Sequence, residues 1–179
     1  MTAPTQIFAV VGPSGAGKDT LIAGARAARP DLRRVRRVIT RLAEAGGEDF
    51  EGVSEAEFAD RKAGGEFVLD WQAHGLHYGI PRAQVEGPGD VVFNGSRGAL
   101  VQAARIFPGL RVILVTAPDA VLAHRLAARG RENAEDIRAR LGRAVFTLPP
   151  GISATTVLND DTPEAGIARL LTALQPVRA

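Results

Sequence analysis

Cysteine is missing altogether from the 179 residues. That excludes a disulfide framework and any cysteine-based zinc centre, so the fold must stand on packing. Lysine is nearly missing: 2 lysines stand beside 20 arginines. Aromatic residues make up 5% of the chain, with one tryptophan and one tyrosine, so the aromatic interleaving that stacks single-stranded nucleic acid is lacking. The longest apolar runs, at 7–11 and 112–115, are far too short to cross a bilayer. Residues 1–6 show no basic segment leading into an apolar core. The expectation is a cytoplasmic protein with no membrane and no nucleic-acid partner. Arg33, Arg34, Arg36 and Arg37 form a basic cluster, which reads as phosphate binding, as a solvated face or, given a pI near 9.6, as nucleic-acid contact.

What is present describes a globular chain. Hydrophobic residues make up 45%, charged residues 23%, and the net charge is +2, a balance that disorder does not show. The length fits one domain over 1–179. Apolar runs at 7–11, 90–94, 111–116 and 153–158 read as buried strands. Helices are expected over 18–28, from Ser54 to Gly64, over 96–107, from Pro118 to Arg129, over 132–145 and over 163–174. Ser54-Glu55-Ala56-Glu57 has the spacing of a capping box. Residues 33–41 read as a strand leading into a loop, 42–52 as a loop and 67–81 as short strand pieces. Pure apolar strands alternating with helices predict an α/β fold: a mostly parallel sheet with helices on both faces.

One motif carries chemistry. Gly12-Pro13-Ser14-Gly15-Ala16-Gly17-Lys18-Asp19-Thr20 holds the glycine and lysine spacing of a Walker A loop, after a strand and before a helix. The glycines let backbone N–H groups face a β-phosphate, the helix start favours negative charge, and Lys18 can reach the β- and γ-phosphates. Gly12, Ser14, Gly15, Ala16, Gly17, Lys18, Asp19 and Thr20 are therefore the expected ATP cradle. The position after the lysine usually carries a hydroxyl for Mg²⁺; here it is Asp19, followed by Thr20. Asp19 reads either as a Mg²⁺ ligand, direct or through water, or as an acid favouring the helix N-terminus. No apolar run ends in the acid of a Walker B motif: Val91-Val92-Phe93 meets Asn94, and Leu114-Val115 meets Thr116. That argues against a motor ATPase or GTPase and suits a small-molecule kinase. His74 and His77, three apart, invite a metal reading, but no third ligand lies nearby.

The order of Gly12 to Thr20, Arg41, Gly47-Glu48-Asp49, Val53-Ser54-Glu55, Gly65-Glu66-Phe67, His77-Tyr78-Gly79, the stretch 125–141 and Asn159-Asp160-Asp161 resembles the guanylate kinase superfamily over nearly the whole chain. The departures fall on the base pocket. Glu44 stands where a second arginine is expected, Phe50 where a phosphate-binding tyrosine is, Leu69 where a guanine-reading glutamate is, and Ile80 where a serine is. A site stripped of its polar partners rejects the base they read. Within that superfamily, Arg37-Val38-Ile39-Thr40-Arg41, Ala45-Gly46-Gly47-Glu48-Asp49, Trp71-Gln72-Ala73-His74-Gly75-Leu76, Tyr78-Gly79-Ile80-Pro81-Arg82 and Asn94-Gly95-Ser96-Arg97 resemble the ribose 1,5-bisphosphate phosphokinases of phosphonate catabolism.

That resemblance implies a nucleoside-monophosphate-kinase-like three-layer fold with a small acceptor-binding lobe near 33–82 and a helical lid near 125–145. It implies ATP and Mg²⁺ as cofactors and a small phosphorylated sugar as substrate, converted to 5-phosphoribosyl 1-diphosphate. Arg37, Arg41, Arg82 and Arg97 become acceptor-phosphate candidates, since arginine grips phosphate bidentately. Tyr78 offers a hydroxyl, and Asn94 and Ser96 could bond ribose. Arg129, Arg131 and Arg140 of the lid could close on the polyphosphate, with Arg129 and Arg140 joining Lys18 as catalytic candidates. Asn159 and Asp160 match the turn near adenine. The alternatives are a nucleoside monophosphate kinase of altered specificity and a non-catalytic guanylate-kinase-like binding module.

Overall fold

The computed structural model describes residues 5–42, 48–130, 137, 141 and 146–176. Strand β1 (Ile7–Val11) is apolar throughout, and four of its five residues are buried. It is the centre of a five-stranded sheet with β2 (Arg33–Arg34), β7 (Val91–Asn94), β8 (Arg111–Thr116) and β9 (Ala154–Leu158), in the order β2-β7-β1-β8-β9. Every pairing in it is parallel. Such a sheet must be covered on both sides. The period of two along β1 does the sorting: Phe8 and Val10 face one core, Ala9 and Val11 the other.

Helix α1 (Lys18–Ala28) lays Leu21, Ile22 and Ala25 on the first face. Helix α6 (Pro163–Ala173) lies beside it, started by Thr162, whose Oγ1 accepts from the Ala165 N–H at 3.2 Å. The two helices pack closely. A Cβ on Gly24 of α1 would fall 2.2 Å from Ile167 Cδ1 of α6. Helix α5 (Asp119–Ala128) adds Leu122 to the same core. The opposite face takes α4 (Leu100–Ile106), which follows a 3₁₀ turn at Arg97–Ala99.

A second, four-stranded sheet covers that face as well. Its order is β4 (Glu51–Gly52), β3 (Val38–Ile39), β6 (Leu76–Pro81), β5 (Phe67–Ala73). Strands β5 and β6 form an antiparallel hairpin in which Leu69 sits opposite Ile80, and Trp71 opposite Tyr78. Helix α2 (Glu55–Ala63) begins as the Ser54 spacing predicts, with Ser54 Oγ accepting from the Glu57 N–H at 3.1 Å. A one-turn helix, α3 (Arg82–Val85), closes the hairpin's exit.

Three expectations need correction. Residues 33–41 are not one strand: Arg33–Arg34 joins β7 of the large sheet, while Val38–Ile39 joins β6 of the small one. The expected loop over 42–52 contains β4, which pairs with β3. Helix α3 was not foreseen. The helix expected over 132–145 lies outside the described residues, apart from Ile137 and Leu141, which are helical. Among the described residues no helix is long and apolar enough to cross a membrane.

Candidate active site

The glycine loop leaves β1 where the strand ends pack tightest. A Cβ on Gly12 would stand 2.0 Å from the Val115 carbonyl oxygen of β8, so no larger residue fits. Gly17, at φ 88°, turns the chain into α1 in a conformation that side chains rarely adopt. Lys18 follows, and its Nζ donates to the carbonyls of Gly12 at 2.8 Å and Pro13 at 3.1 Å. Burial pulls the Lys18 ammonium down from 10.5 to about 8. Asp19 and Glu48 oppose that shift; Arg37 and Arg129 reinforce it. A cation held below its ordinary basicity among other cations gains from an incoming anion.

The loop is braced from behind. Asn159, only 5% exposed, donates from Nδ2 to the Ala16 carbonyl at 2.8 Å. Arg125 of α5 donates from Nη2 to the Asn159 carbonyl at 2.8 Å and from Nη1 to the Gly15 and Ala16 carbonyls at 3.4 Å. Asn159 was matched to the turn near adenine; its side chain points inward and supports the loop. Asp160 is paired to Arg169 at 3.1 Å. Arg125 is a site residue that sequence reasoning missed. It lay inside the lid-like stretch, but nothing in its spacing set it apart from its neighbours.

Asp19 has a partner that its sequence position did not announce. Its Oδ1 accepts from Arg34 Nη2 and from Asn94 Nδ2, each at 3.0 Å. The cation needed to seat a carboxylate near a polyphosphate is thus in part Arg34. Both bonds fall on Oδ1. Oδ2 remains, so the residue fits a Mg²⁺ ion that arrives on nucleotide phosphates and takes one protein carboxylate. Among the described residues no three His, Asp or Glu side chains gather as a metal cage.

A cleft of about 670 Å³ opens in front of the loop. Pro13, Ser14 and Lys18 line one side, the segment from Asn94 to Gly98 at the end of β7 another, and the β5–β6 hairpin with Arg37 the third. Its described lining contains Lys18, Arg37 and Arg97 and no carboxylate. Trp71 and Tyr78 stack with centroids 5.3 Å apart and planes 2° from parallel. The Arg37 guanidinium lies 5.2 Å from the Tyr78 ring centre, and the Arg97 guanidinium 5.2 Å from that of Phe146. Trp71 Nε1 is buried and has no hydrogen-bond partner among the described residues. His74, at the hairpin turn, has φ 52° and also lines the cleft.

The structure therefore brings together Ser14, Lys18, Arg37, Tyr78, Asn94, Ser96 and Arg97. Others stand apart. Arg41 lies over the Phe50 ring at 4.4 Å, outside the described cleft lining, with its Nε buried and unpaired among the described residues. Arg82 is exposed on α3, also outside the lining. Arg129 caps α5; it misses the lining yet is close enough to act on Lys18. Arg131 and Arg140 lie outside the described residues. Leu69 and Ile80 do not face the cleft at all; they are 1% and 0% exposed in the core beneath it.

No family model matches the chain. Among curated proteins, it is 49% identical over 177 residues to the ribose 1,5-bisphosphate phosphokinase PhnN of Ruegeria sp., covering 97% of this chain and 93% of that one. The chain belongs to the ribose 1,5-bisphosphate phosphokinase family. A second full-length relative of the family, from Agrobacterium fabrum, is 43% identical over 175 residues, covering 94% of this chain and 96% of its own. The family's sequence also occurs inside larger proteins. The bifunctional ribose 1,5-bisphosphokinase-thymidine phosphorylase of Cupriavidus necator is 50% identical over 179 residues, and the chain spans 30% of its length. Two solved structures share the family's fold. A guanylate kinase from Anaplasma phagocytophilum matches with a TM-score of 0.66 at 17% identity, over 96% of this chain and 85% of its own. A gluconokinase from Sinorhizobium meliloti matches with a TM-score of 0.55 at 15% identity, over 97% and 93%. The chain thus belongs to a family of kinases and has a guanylate-kinase-like fold.

Proposed function

We propose that the chain transfers the γ-phosphoryl group of MgATP to the 1-phosphate of ribose 1,5-bisphosphate, giving 5-phosphoribosyl 1-diphosphate and ADP. The bond from the γ-phosphorus to its bridging oxygen breaks, and a 1-phosphate oxygen forms the new one. The observation that carries this is the described cleft lining: three cations and no carboxylate, in front of the Walker A lysine. A polyanionic sugar phosphate suits it. A guanine edge, which presents N–H donors, finds no acidic reader there, and Leu69 and Ile80 are closed into the core. The name of the Ruegeria relative points the same way.

In this reading the backbone of 12–20 holds the ATP phosphates, and Lys18 neutralises charge that develops in transfer. Asn159 holds the loop's shape, and Asp160 belongs to the same nucleotide-side turn. Asp19 and Thr20 are the protein groups that would hold a Mg²⁺ ion arriving with the nucleotide, where it would supply positive charge to the phosphates. Arg37, Tyr78, Asn94, Ser96 and Arg97 take the acceptor, and Arg41 and Arg82 belong to the same lobe over 33–82. Arg129, with Arg131 and Arg140, acts from a lid over 125–145 that excludes water. Phosphorus NMR of protein with MgATP and either ribose 1,5-bisphosphate or GMP tests this. A diphosphate on the ribose 1-carbon, lost in Lys18→Ala, is the expected result. GDP from GMP, or no ribose product, would overturn it.

A further inference from the structure

Arg37 enters the cleft with two of its five N–H donors already committed. Its Nε donates to Glu48 Oε1 at 2.8 Å, and its Nη2 makes a second, shorter contact to Glu48 Oε2. The pair is buried: the two side chains are 8% and 11% exposed. The central carbon of the Arg37 guanidinium lies over the Tyr78 ring, 5.2 Å from the ring centre. A guanidinium has two bidentate edges, one through Nε and Nη2 and one through Nη1 and Nη2. Glu48 takes the first edge. Nη1 makes no bond among the described residues, yet it is not among the buried unpaired nitrogens. Arg37 lines the cleft, as does Lys18. Both Arg37 and Glu48 act electrostatically on Lys18, which sets the pair beside the place of phosphoryl transfer.

We propose that Glu48 is a positioning residue: it grips one edge of Arg37 so that the other edge meets the acceptor phosphate that receives the phosphoryl group. This rests on the reaction proposed above. Glu48 does not touch substrate. It fixes the angle of the group that does, with the Tyr78 face preventing rotation about the guanidinium. Unheld, a long arginine samples many rotamers, and a phosphate misplaced by 1 Å loses roughly a hundredfold in rate.

The test is steady-state kinetics of Glu48→Gln, Glu48→Asp, Arg37→Met and the double variant Arg37→Met/Glu48→Gln, each with ATP and ribose 1,5-bisphosphate varied separately. Glu48→Gln presents an amide N–H to the arginine, and Glu48→Asp shortens the grip while keeping its charge. Both should lower kcat/KM for ribose 1,5-bisphosphate, about tenfold to a hundredfold for the glutamine and less for the aspartate, with the KM for ATP held. The double variant should lose no more than Arg37→Met alone, because Glu48 acts only through Arg37. It also removes both buried charges together, which folds tolerate better than removing one. Should Glu48→Gln not fold, the aspartate and double variants still decide. Wild-type kcat/KM in the Glu48 variants, or losses that multiply with that of Arg37→Met, would overturn the proposal while leaving the reaction intact. Wild-type protein inert toward ribose 1,5-bisphosphate would overturn both.

Discussion

The side-chain amide of Asn159 donates to the carbonyl of Ala16 at 2.8 Å, joining positions 143 residues apart. Asn159 also fills the space beside two glycines. A Cβ on Gly17 would fall 2.6 Å from its Nδ2, and one on Gly166 would fall 2.4 Å from its Oδ1. The glycine loop is therefore held by a residue just beyond β9 that packs against α6.

Replacing Asn159 by Ala leaves the Ala16 carbonyl without its nearest side-chain donor. The expected cost is about 1–3 kcal/mol of stability. The KM for ATP should rise more than that for the acceptor. Asn159→Asp should be worse, because it sets an acceptor against an acceptor. Thermal melts with and without nucleotide, beside two-substrate kinetics, check both.

In the proposed reaction Lys18 makes nucleotide binding depend on pH. In the free protein its ammonium titrates near 8 rather than 10.5 because burial disfavours the charge. Bound polyphosphate restores the charge. MgATP should therefore take up a proton on binding above pH 8, and its affinity should fall as pH rises through 8. Free-protein stability should change in the opposite sense: between pH 8 and 10.5 the unfolded lysine holds a proton that the folded one has lost, so this group's contribution rises with pH. Calorimetry in buffers of different ionisation enthalpy reads the uptake, and Lys18→Met should abolish it.

Asp19 divides its two oxygens between jobs. Oδ1 serves Arg34 and Asn94; in the proposed reaction Oδ2 serves Mg²⁺ or its water. Asp19→Ala should raise the Mg²⁺ concentration for half-maximal activity by about tenfold and lower the melting temperature. Arg34→Met should cost about 1 kcal/mol and leave the Mg²⁺ requirement alone. A Mg²⁺ titration of both variants separates the roles; an unchanged requirement in Asp19→Ala would remove Asp19 from the metal's surroundings.

The parts legible in the sequence are those whose signal is local. Ile7–Val11, the glycine spacing before Lys18 and the run at Arg111–Thr116 each show their element within a few residues. Arg33–Arg34 and Val38–Ile39 do not. A two-residue strand is defined by its distant partners, β7 in one case and β6 in the other, and no periodicity fits in two residues. The same limit hid the clasps. Arg37 and Glu48 were both noticed, one as a cation and one within a motif, but their mutual grip depends on how the chain folds back between them. Asn159 was matched to a turn near adenine; its bond to the Ala16 carbonyl was not legible, because a residue leaving a strand is free to face either side. Leu69 and Ile80 were read as pocket residues by alignment of position; the hairpin buries both.

The clasp on Ala16 also sets an order of events during synthesis. The ribosome releases the glycine loop with the first strand and helix, but the amide that holds it belongs to residue 159, and the helix backing that amide ends at Ala173. A nascent chain has the glycine loop long before it has the residue that keeps it in shape. The brace on the loop follows only once Asn159 has emerged, so a chain stopped before that residue carries the whole motif without its clasp.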